Sequence, residues 1–244
     1  MKEKSKTILK KILRFAWKSA MWFFIISIIS VILFRWVPIP FTPFMITRCI
    51  EQKWNGQEMK LKKDWVPLNE ISKHLQLGVV CSEDQNFIKH RGFDFDAIDR
   101  ALEHNKTHKR KRGASTISQQ TAKNVFLWQG RSWIRKGLEI YFTFLIETFW
   151  SKERIMEVYL NVIEFGDGVY GAESASQEFF KRTANDISKE QAALLAAVLP
   201  SPRKFSAKNP GPYMQSRRDW VLNQMYLWGG ILNYQSEEKE QKKK

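Results

Sequence analysis

The chain is poor in cysteine and, over most of its length, lacks proline. Only Cys49 and Cys81 occur among 244 residues, which excludes a disulfide-rich scaffold and a cysteine-based zinc ribbon. No proline occurs from Leu68 to Leu199, although helical spacings of apolar residues recur there. Because proline interrupts helices, this stretch predicts a mainly helical body. No internal repeat occurs, which excludes a repeat architecture.

Acidic residues are also scarce. There are 25 Asp and Glu against 40 Lys and Arg, so the formal net charge is +15. A hydrophobic content of 43% and an aromatic content of 14% exclude a disordered chain. The length suits one domain with tails. The basic excess predicts a polyanionic partner, which could be nucleic acid, anionic lipid or a phosphorylated substrate.

The N-terminus has the pattern of a membrane anchor. Residues 1–19 form a basic tail with seven Lys and Arg against one Glu, and an uncharged apolar run extends from Ala20 to Phe34. Counted from Phe15, with Lys18 reaching the interface, the run has the roughly 20 residues that span a bilayer. We expect a transmembrane helix over residues 20–37. Its positive flank predicts a cytoplasmic N-terminus, with the rest of the chain on the other side.

Two alternatives to an anchor are a cleaved signal peptide and a buried core helix. No small-x-small cleavage site follows Phe34, which argues against the signal peptide. The basic run that precedes the apolar segment argues against a core helix.

Residues 38–66 are predicted to form an extended connector at the membrane interface. Its prolines and apolar residues are Pro38, Pro40, Pro43, Phe41, Phe44 and Met45. The main domain is expected over residues 67–235, followed by a solvated tail over 236–244. Within the domain, Ser188 to Gln191 is a capping box that predicts the start of a helix ending at Pro200.

The segment from Cys81 to Gly92 contains a candidate general base. If a helix begins near Ser82, then Glu83, Phe87 and His90 share one of its faces. A carboxylate on an apolar face is partly desolvated, which raises its pKa towards that of a base. The alternative is an ordinary amphipathic helix with Glu83 in solvent, and periodicity alone favours it.

The segment from Gly113 to Asn124 contains a polar stripe. Ser115 or Thr116 can cap a helix, and Thr116, Gln120 and Lys123 then lie on one face. A hydroxyl, an amide and an ammonium suit sugar hydroxyls and a phosphate. The alternative is a polar face in solvent.

The segment from Arg131 to Glu147 pairs Arg135 with Glu139, four residues apart. The simplest interpretation is a surface ion pair worth about 0.3–0.5 kcal/mol. However, the aromatic stretch 126–150 is apolar on all sides, so this helix is predicted to be core or to dip into lipid.

The basic run 106–112 has the composition of a nucleic-acid patch. Because we place it outside the membrane, a solvated loop or a contact with anionic lipid is favoured instead. His104 and His108 have a spacing found in metal sites, but no Cys or further His lies near them, so we expect no metal there.

Taken together, four segments resemble the peptidoglycan glycosyltransferases of family 51, which also form the N-terminal module of class A penicillin-binding proteins. The matching motifs run from Glu83-Asp84 to Gly92, from Gly113 to Asn124, from Arg135-Lys136 to Glu139, and from Lys152 to Asn161. They occur in the family's order, and the wider resemblance runs from Pro67 to Trp228. Cys81, beside the first motif, is an unusual residue at a position that is not catalytic.

The resemblance implies a lysozyme-like helical domain with a smaller, membrane-dipping lobe formed by residues 126–150. It implies polymerisation of lipid II into β-1,4-linked glycan strands, with inversion and release of undecaprenyl diphosphate. Because the chain ends soon after Trp228, a monofunctional enzyme without a transpeptidase domain is expected.

The partners implied are lipid II, the growing strand, the membrane, and cell-division or penicillin-binding proteins, with no nucleic acid. The location implied is the bacterial inner membrane, crossed once, with the catalytic domain on the periplasmic side. No obligatory cofactor is implied, although Mg²⁺ or Mn²⁺ at the diphosphate is compatible with the chemistry.

The resemblance also assigns roles to residues. Glu83 is the base, and Glu139 orients or polarises the acceptor or holds a cation. Lys123 and Arg135 contact the diphosphate. The residues implied to bind substrate or shape the cleft are Asp84, Phe87, His90, Ser115, Thr116, Gln120, Asn124 and Lys136. Two rival functions remain at this point: a lytic enzyme that cleaves glycan, and a non-catalytic membrane scaffold of the division machinery.

Overall fold

A computed structural model describes residues 2–109, 111–130 and 132–234, without the side chains of residues 2–5. The predicted tail 236–244 lies outside the described residues. The chain divides into two units, residues 1–37 and residues 38–244, which are described separately below.

The first unit is one helix, α1 (Lys2–Phe34), of 33 residues. Its part from Lys6 to Phe34, with a hydropathy of 1.9, is long and apolar enough to cross a membrane. At 1.5 Å per residue the whole helix is about 50 Å long, which exceeds the roughly 30 Å hydrocarbon core of a bilayer. The residues predicted as a basic tail belong, from Lys2 onwards, to this same helix.

The second unit is mainly helical, as predicted. Its elements in chain order are α2 (Pro43–Trp54), β1 (Lys62–Lys63), a 3₁₀ turn (Leu68–Glu70), α3 (Lys73–Glu83), α4 (Phe95–Thr107), α5 (Ile117–Phe126), α6 (Trp133–Phe149), α7 (Lys152–Val162), β2 (Glu164–Gly166), β3 (Val169–Tyr170), α8 (Ala172–Phe180), α9 (Lys189–Val198) and α10 (Pro212–Trp228).

Helix ends are fixed mainly by short polar side chains that accept a backbone N–H of the first turn. These caps are Thr42, Ser72, Asp94, Thr116, Ser132, Ser151 and Ser188. The capping box predicted at Ser188 and Gln191 is confirmed, and the helix that follows ends at Val198, just before Pro200. A second capping box joins Thr116 to Gln119.

The core consists of two helix groups. In one group α3 packs against α9 and α10, and every residue of α9 from Ala192 to Val198 is buried. In the other group α5 packs against α2, α6 and α7. The C-terminal end of α3 meets the N-terminal end of α5, and the predicted site residues gather at this junction.

A small sheet closes the side of the domain near α2. Its order is β1-β3-β2, with β1 parallel and β2 antiparallel to β3. The turn between β2 and β3 requires Gly168, because its φ is +71° and a Cβ there would overlap the carbonyl of Lys60.

The prediction that residues 38–66 are extended is wrong for α2. Thr42 caps this helix and Pro43 occupies its first turn, where proline is favoured. Met45, expected to be an exposed interfacial residue, is fully buried, whereas Phe41 is exposed. Part of the apolar surface of residues 38–66 therefore packs α2 against the rest of the domain.

Candidate active site

Glu83 is the last residue of α3, so the prediction of a helix beginning near Ser82 is wrong. The helix stops because the next residue, Asp84, turns its carboxylate away to other partners. This carboxylate accepts the backbone N–H of Ile117, at the start of α5, at 2.9 Å, and contacts His90 Nε2 at 2.9 Å. Phe87 is fully buried and shares no helical face with Glu83. The junction between α3 and α5 is therefore made by Asp84.

His90 and Thr116 hold the loop that follows Asp84. His90 Nδ1 accepts the Gly92 N–H at 3.1 Å, so the ring proton is on Nε2 and is donated to Asp84. The Thr116 hydroxyl donates to the Gly92 carbonyl at 2.7 Å. Gly92 has a φ of +87°, and a Cβ there would lie 2.8 Å from Thr143 Cγ2. These contacts fix the shape of the loop that follows Glu83.

The Glu83 carboxylate is half-buried and accepts a hydrogen bond from one side chain of the described residues. Gln120 Nε2 donates to Glu83 Oε2 at 2.8 Å. The hydroxyl of buried Tyr159 donates to Gln120 Oε1 at 3.3 Å, which fixes the orientation of the amide. Burial raises the pKa of Glu83, and the Gln120 hydrogen bond and the charges of Arg217 and Lys123 only partly offset this. A carboxylate with a raised pKa is suited to accept a proton near neutral pH.

Lys123 lies one turn beyond Gln120 on α5 and is half-buried. Burial lowers the pKa of its ammonium, while Glu139 and Glu83 raise it. Among the described residues its ammonium has no hydrogen bond or ion pair within contact distance. A half-buried cation without a direct partner is suited to an anionic ligand.

Glu139 is buried, with 4% of its surface exposed. Its carboxylate pairs with Arg135 Nη1 at 3.3 Å and with Lys136 Nζ at 2.6 Å. The interpretation of Arg135 and Glu139 as a surface ion pair is therefore wrong, because α6 packs this pair against α5. Arg135 Nε and Asn124 Nδ2 are buried donors with no partner among the described residues.

A second ion cluster links α5 to α6 and α7. Glu147 accepts from Lys152 Nζ at 2.7 Å and from the Ser118 hydroxyl. The Lys152 ammonium also lies over the Phe87 ring, 4.7 Å from its centroid. Burial lowers the pKa of Lys152, and Glu147 partly restores it. The first and fourth sequence motifs meet in this cluster.

Glu83 lies on the walls of two cavities. One, of about 510 Å³, also includes Asp84, Asp94 and Arg100. The other, of about 810 Å³, is lined by cationic and aromatic residues, namely Lys111, Arg112, Arg217, Phe205, Tyr213 and Trp220. Ser115 lies on both walls. The Glu83 carboxylate is thus accessible to groups bound in either cavity.

A third cavity, of about 530 Å³, is mainly apolar. It is lined by Phe93, Phe95, Ile98, Ala114, Ser115, Gln119, Lys136 and Ile140. Lys136 and Ser115 place its polar end beside the Glu139 cluster and the Glu83 cavities. Such a groove fits an apolar chain that ends in an anionic group.

The structure places the predicted residues in three groups. Glu83 contacts Gln120, and the cationic cluster contains Lys123, Arg135, Lys136 and Glu139. Asp84, Phe87, His90 and Thr116 support the loop, Ser115 lines all three cavities, and Asn124 is buried with a free amide donor.

Sequence reasoning assigned no role to Tyr159, Arg112, Arg217 or Trp220. Tyr159 belongs to the fourth motif, and Arg112 belongs to the basic run, which was expected to be a solvated loop. Arg217 and Trp220 lie on α10, outside every motif, where no sequence signal marked them.

The donor set does not form a metal site. Within the described ranges no three His, Cys, Asp or Glu side chains are grouped to hold a metal ion. His104 and His108 stack their rings at 4.0 Å. Both Glu139 oxygens already bind cations.

The comparisons with known proteins agree with this architecture. The sequence profile of the transglycosylase family matches residues 51–226. The chain therefore belongs to the transglycosylase family. Three relatives are each named biosynthetic peptidoglycan transglycosylase, and each is similar to this chain over most of both lengths.

The relative from Bdellovibrio bacteriovorus is 55% identical over 208 residues, covering 85% of this chain and 83% of its own. The relative from Bacteroides thetaiotaomicron is 51% identical over 219 residues, covering 90% and 88%. The relative from Pseudomonas aeruginosa is 48% identical over 223 residues, covering 91% and 96%.

Proposed function

We propose that this peptidoglycan glycosyltransferase polymerises lipid II into β-1,4-linked glycan strands. In the reaction the acceptor 4-hydroxyl attacks the anomeric carbon of the donor strand, and a new C–O bond forms there. The bond from that carbon to the diphosphate breaks, and undecaprenyl diphosphate leaves with the electron pair. One in-line displacement inverts the α-linked donor to a β link.

We propose that Glu83 is the general base that accepts the proton of the acceptor hydroxyl. The observation that carries this proposal is that Glu83 lines two adjoining cavities, with a raised pKa and one oriented donor, Gln120. A base that lines both sugar sites can accept the proton of the acceptor hydroxyl while that hydroxyl attacks the donor sugar.

The diphosphate is assigned to Lys123 and Arg135. Lys123 is a half-buried cation without a direct partner among the described residues. There, too, Arg135 Nε and Asn124 Nδ2 are buried donors without a hydrogen-bond partner. These donors would bind developing negative charge on the leaving group without reorganising. Glu139 would hold the Arg135 and Lys136 side chains in place rather than bind a cation of its own.

The apolar cavity beside Lys136 suits the prenyl chain of the same substrate. Its lining is apolar at Phe93, Ile98 and Ile140, and cationic at one end. Burying apolar surface contributes roughly 25 cal/mol per Å², so a chain along this cavity would add affinity beyond the diphosphate.

The location proposed is the bacterial inner membrane, crossed once by α1, with the catalytic unit on the periplasmic side. The length and apolarity of α1 and the basic residues at its N-terminus support this orientation. Cell-division and penicillin-binding proteins are the proposed protein partners, because they act on the same strands.

The two rival functions have less support. The relatives are named as biosynthetic, whereas a lytic enzyme would cleave glycan. A degenerate scaffold is disfavoured because Glu83, Glu139 and their partners are all present.

The test is gel analysis of lipid II incubations with the full-length protein in detergent. We expect long strands from the wild type. We expect polymerisation by Glu83→Gln to fall by at least about 10²-fold, the usual contribution of a positioned base, with lipid II binding retained. Short fragments of glycan would indicate a lytic enzyme. The absence of any product would indicate a non-catalytic scaffold. Wild-type rates from a folded Glu83→Gln protein would show that Glu83 is not the base.

A further inference from the structure

Helix α2 buries two polar side chains beside Met45 and exposes three large apolar ones, unlike a normal surface helix. Arg48 and Gln52 are buried, with 7% and 1% of their surfaces exposed. Ile46, Ile50 and Trp54 are exposed, at 53%, 59% and 89%. Their spacing of four residues puts these three side chains on one face. This outer face of α2 is unpartnered within the described chain.

This arrangement has a specific cause on the buried side. Arg48 Nη2 pairs with Asp167 Oδ1 at 2.8 Å, and Arg48 Nη1 pairs with Glu51 at 2.8 Å. Gln52 Oε1 accepts the Lys60 N–H at 3.0 Å. These contacts fix the rotation of α2 about its axis, so the apolar residues are held outward although burying them would be favourable in water.

The covalent chain limits what can cover the outer face. Eight residues, 35–42, separate the end of α1 from the start of α2. Fully extended, they span about 30 Å, so α2 begins close to the bilayer if α1 crosses it. Trp54 ends the helix beside Lys53, and Trp and Lys are residues typical of the headgroup zone.

We propose that α2 lies along the bilayer surface, with Ile46, Ile50 and Trp54 inserted into the boundary between headgroups and acyl chains. Its partner is the lipid surface. Because α2 also packs against α5, the helix that carries Gln120 and Lys123, it sets the position of α5 relative to the membrane. The proposal rests on membrane anchoring by α1, and it does not depend on the catalytic roles.

The test uses the full-length protein in nanodiscs of phosphatidylethanolamine and phosphatidylglycerol. A benzophenone amino acid replaces Ile50 or Trp54, and Glu190, an exposed polar residue on α9, is the matched control. After illumination, mass spectrometry identifies the adducts. We expect lipid adducts at 50 and 54 to exceed those at 190 by about tenfold, because position 190 faces solvent and the other two would contact lipid. Adducts between two copies, equal yields at all three positions, or no adducts at 50 and 54 would overturn the proposal.

A second measurement separates this proposal from the catalytic one. The double variant Ile50→Glu, Trp54→Glu should lose about tenfold in polymerisation of lipid II embedded in bilayers, because two charges oppose insertion. On lipid II in detergent its rate should match the wild type. Equal rates in bilayers would overturn the role of the outer face of α2. An inactive wild type in both assays would instead contradict the proposed function and leave the adduct result valid.

Discussion

At the scale of single residues, Glu83 is held in a state that lowers stability. Its folded pKa is raised above the ordinary value of 4.5, so the charged form disfavours folding at neutral pH. We expect Glu83→Gln to increase the free energy of unfolding at pH 7 by about 0.5–2 kcal/mol, as is common when a functional group is neutralised. The gain should shrink as the pH falls through the raised pKa, because the wild type then becomes neutral too. Thermal melts at several pH values measure this, and a variant less stable at pH 7 would contradict it.

Tyr159 is expected to be a positioning residue. Tyr159→Phe removes the hydroxyl that orients Gln120 and should lower kcat by about three- to tenfold, the effect of losing one hydrogen bond. Since the Gln120 hydrogen bond lowers the pKa of Glu83, the acid limb of the pH–rate profile should also move to higher pH.

The matched control for this variant is Tyr170→Phe. Tyr170 is equally buried, but its hydroxyl has no partner among the described residues. We expect unchanged rates and an unchanged pH profile. If both variants behave alike, Tyr159 has only a packing role.

The cations should act on the donor side of the reaction. Lys123→Ala or Arg135→Ala should weaken donor use more than acceptor use, by roughly ten- to hundred-fold, the cost of a lost charge-assisted contact. Varying donor and acceptor analogues separately measures this. Lys208→Ala, on the exposed surface, is the control, and effects as small as its own would leave the two cations without a catalytic role.

At the scale of elements, the docking of α2 depends on Asp167. Asp167→Asn should lower the free energy of unfolding by about 1.5–3 kcal/mol, because buried Arg48 loses a charged partner. The exposed pair of Lys62 and Glu178 gives the control: Glu178→Gln should change stability by at most about 1 kcal/mol. Thermal or denaturant unfolding of both variants decides this, and equal losses would contradict a special role for Asp167.

What the sequence predicted at this scale was local. The helix that starts at Ser188 and the one capped by Thr116 were predictable because their caps lie within four residues. The end of α3 was not, because Asp84 leaves the helix to bind Ile117, 33 positions away. Helix α2 was missed because Asp167, which buries its polar face, lies 119 positions from Arg48.

The candidate site shows the same contrast between residues predictable from local sequence and residues brought together only by the fold. The four motifs that resemble those of the family contain Glu83, Gln120 and the cations, so the resemblance grouped these residues in advance. The contributions of Tyr159 and Arg217 come from helices that reach Glu83 only through tertiary packing.

At the scale of the whole molecule, the catalytic unit carries lipid-compatible surface of its own. Deleting residues 1–36 should leave a folded protein that still binds detergent or liposomes, since residues 38–244 form a separate unit. Exposed Trp133, Ile134 and Phe144 on α6 remain, as does the outer face of α2. Liposome flotation and light scattering test this. A truncated protein that is monodisperse without detergent and ignores liposomes would contradict a membrane-dipping lobe.

The packing of α3 against α9 and α10 also determines when the enzyme becomes competent during its synthesis. Helices α5, α6 and α7 are neighbours in the chain and can pack soon after they emerge. Helix α3 emerges before them, but its partners α9 and α10 extend to Trp228 and emerge last. Glu83, at the end of α3, therefore acquires its final surroundings only when nearly the whole chain has been synthesised. An unfinished chain is therefore expected to have no glycosyltransferase activity on the lipid II around it.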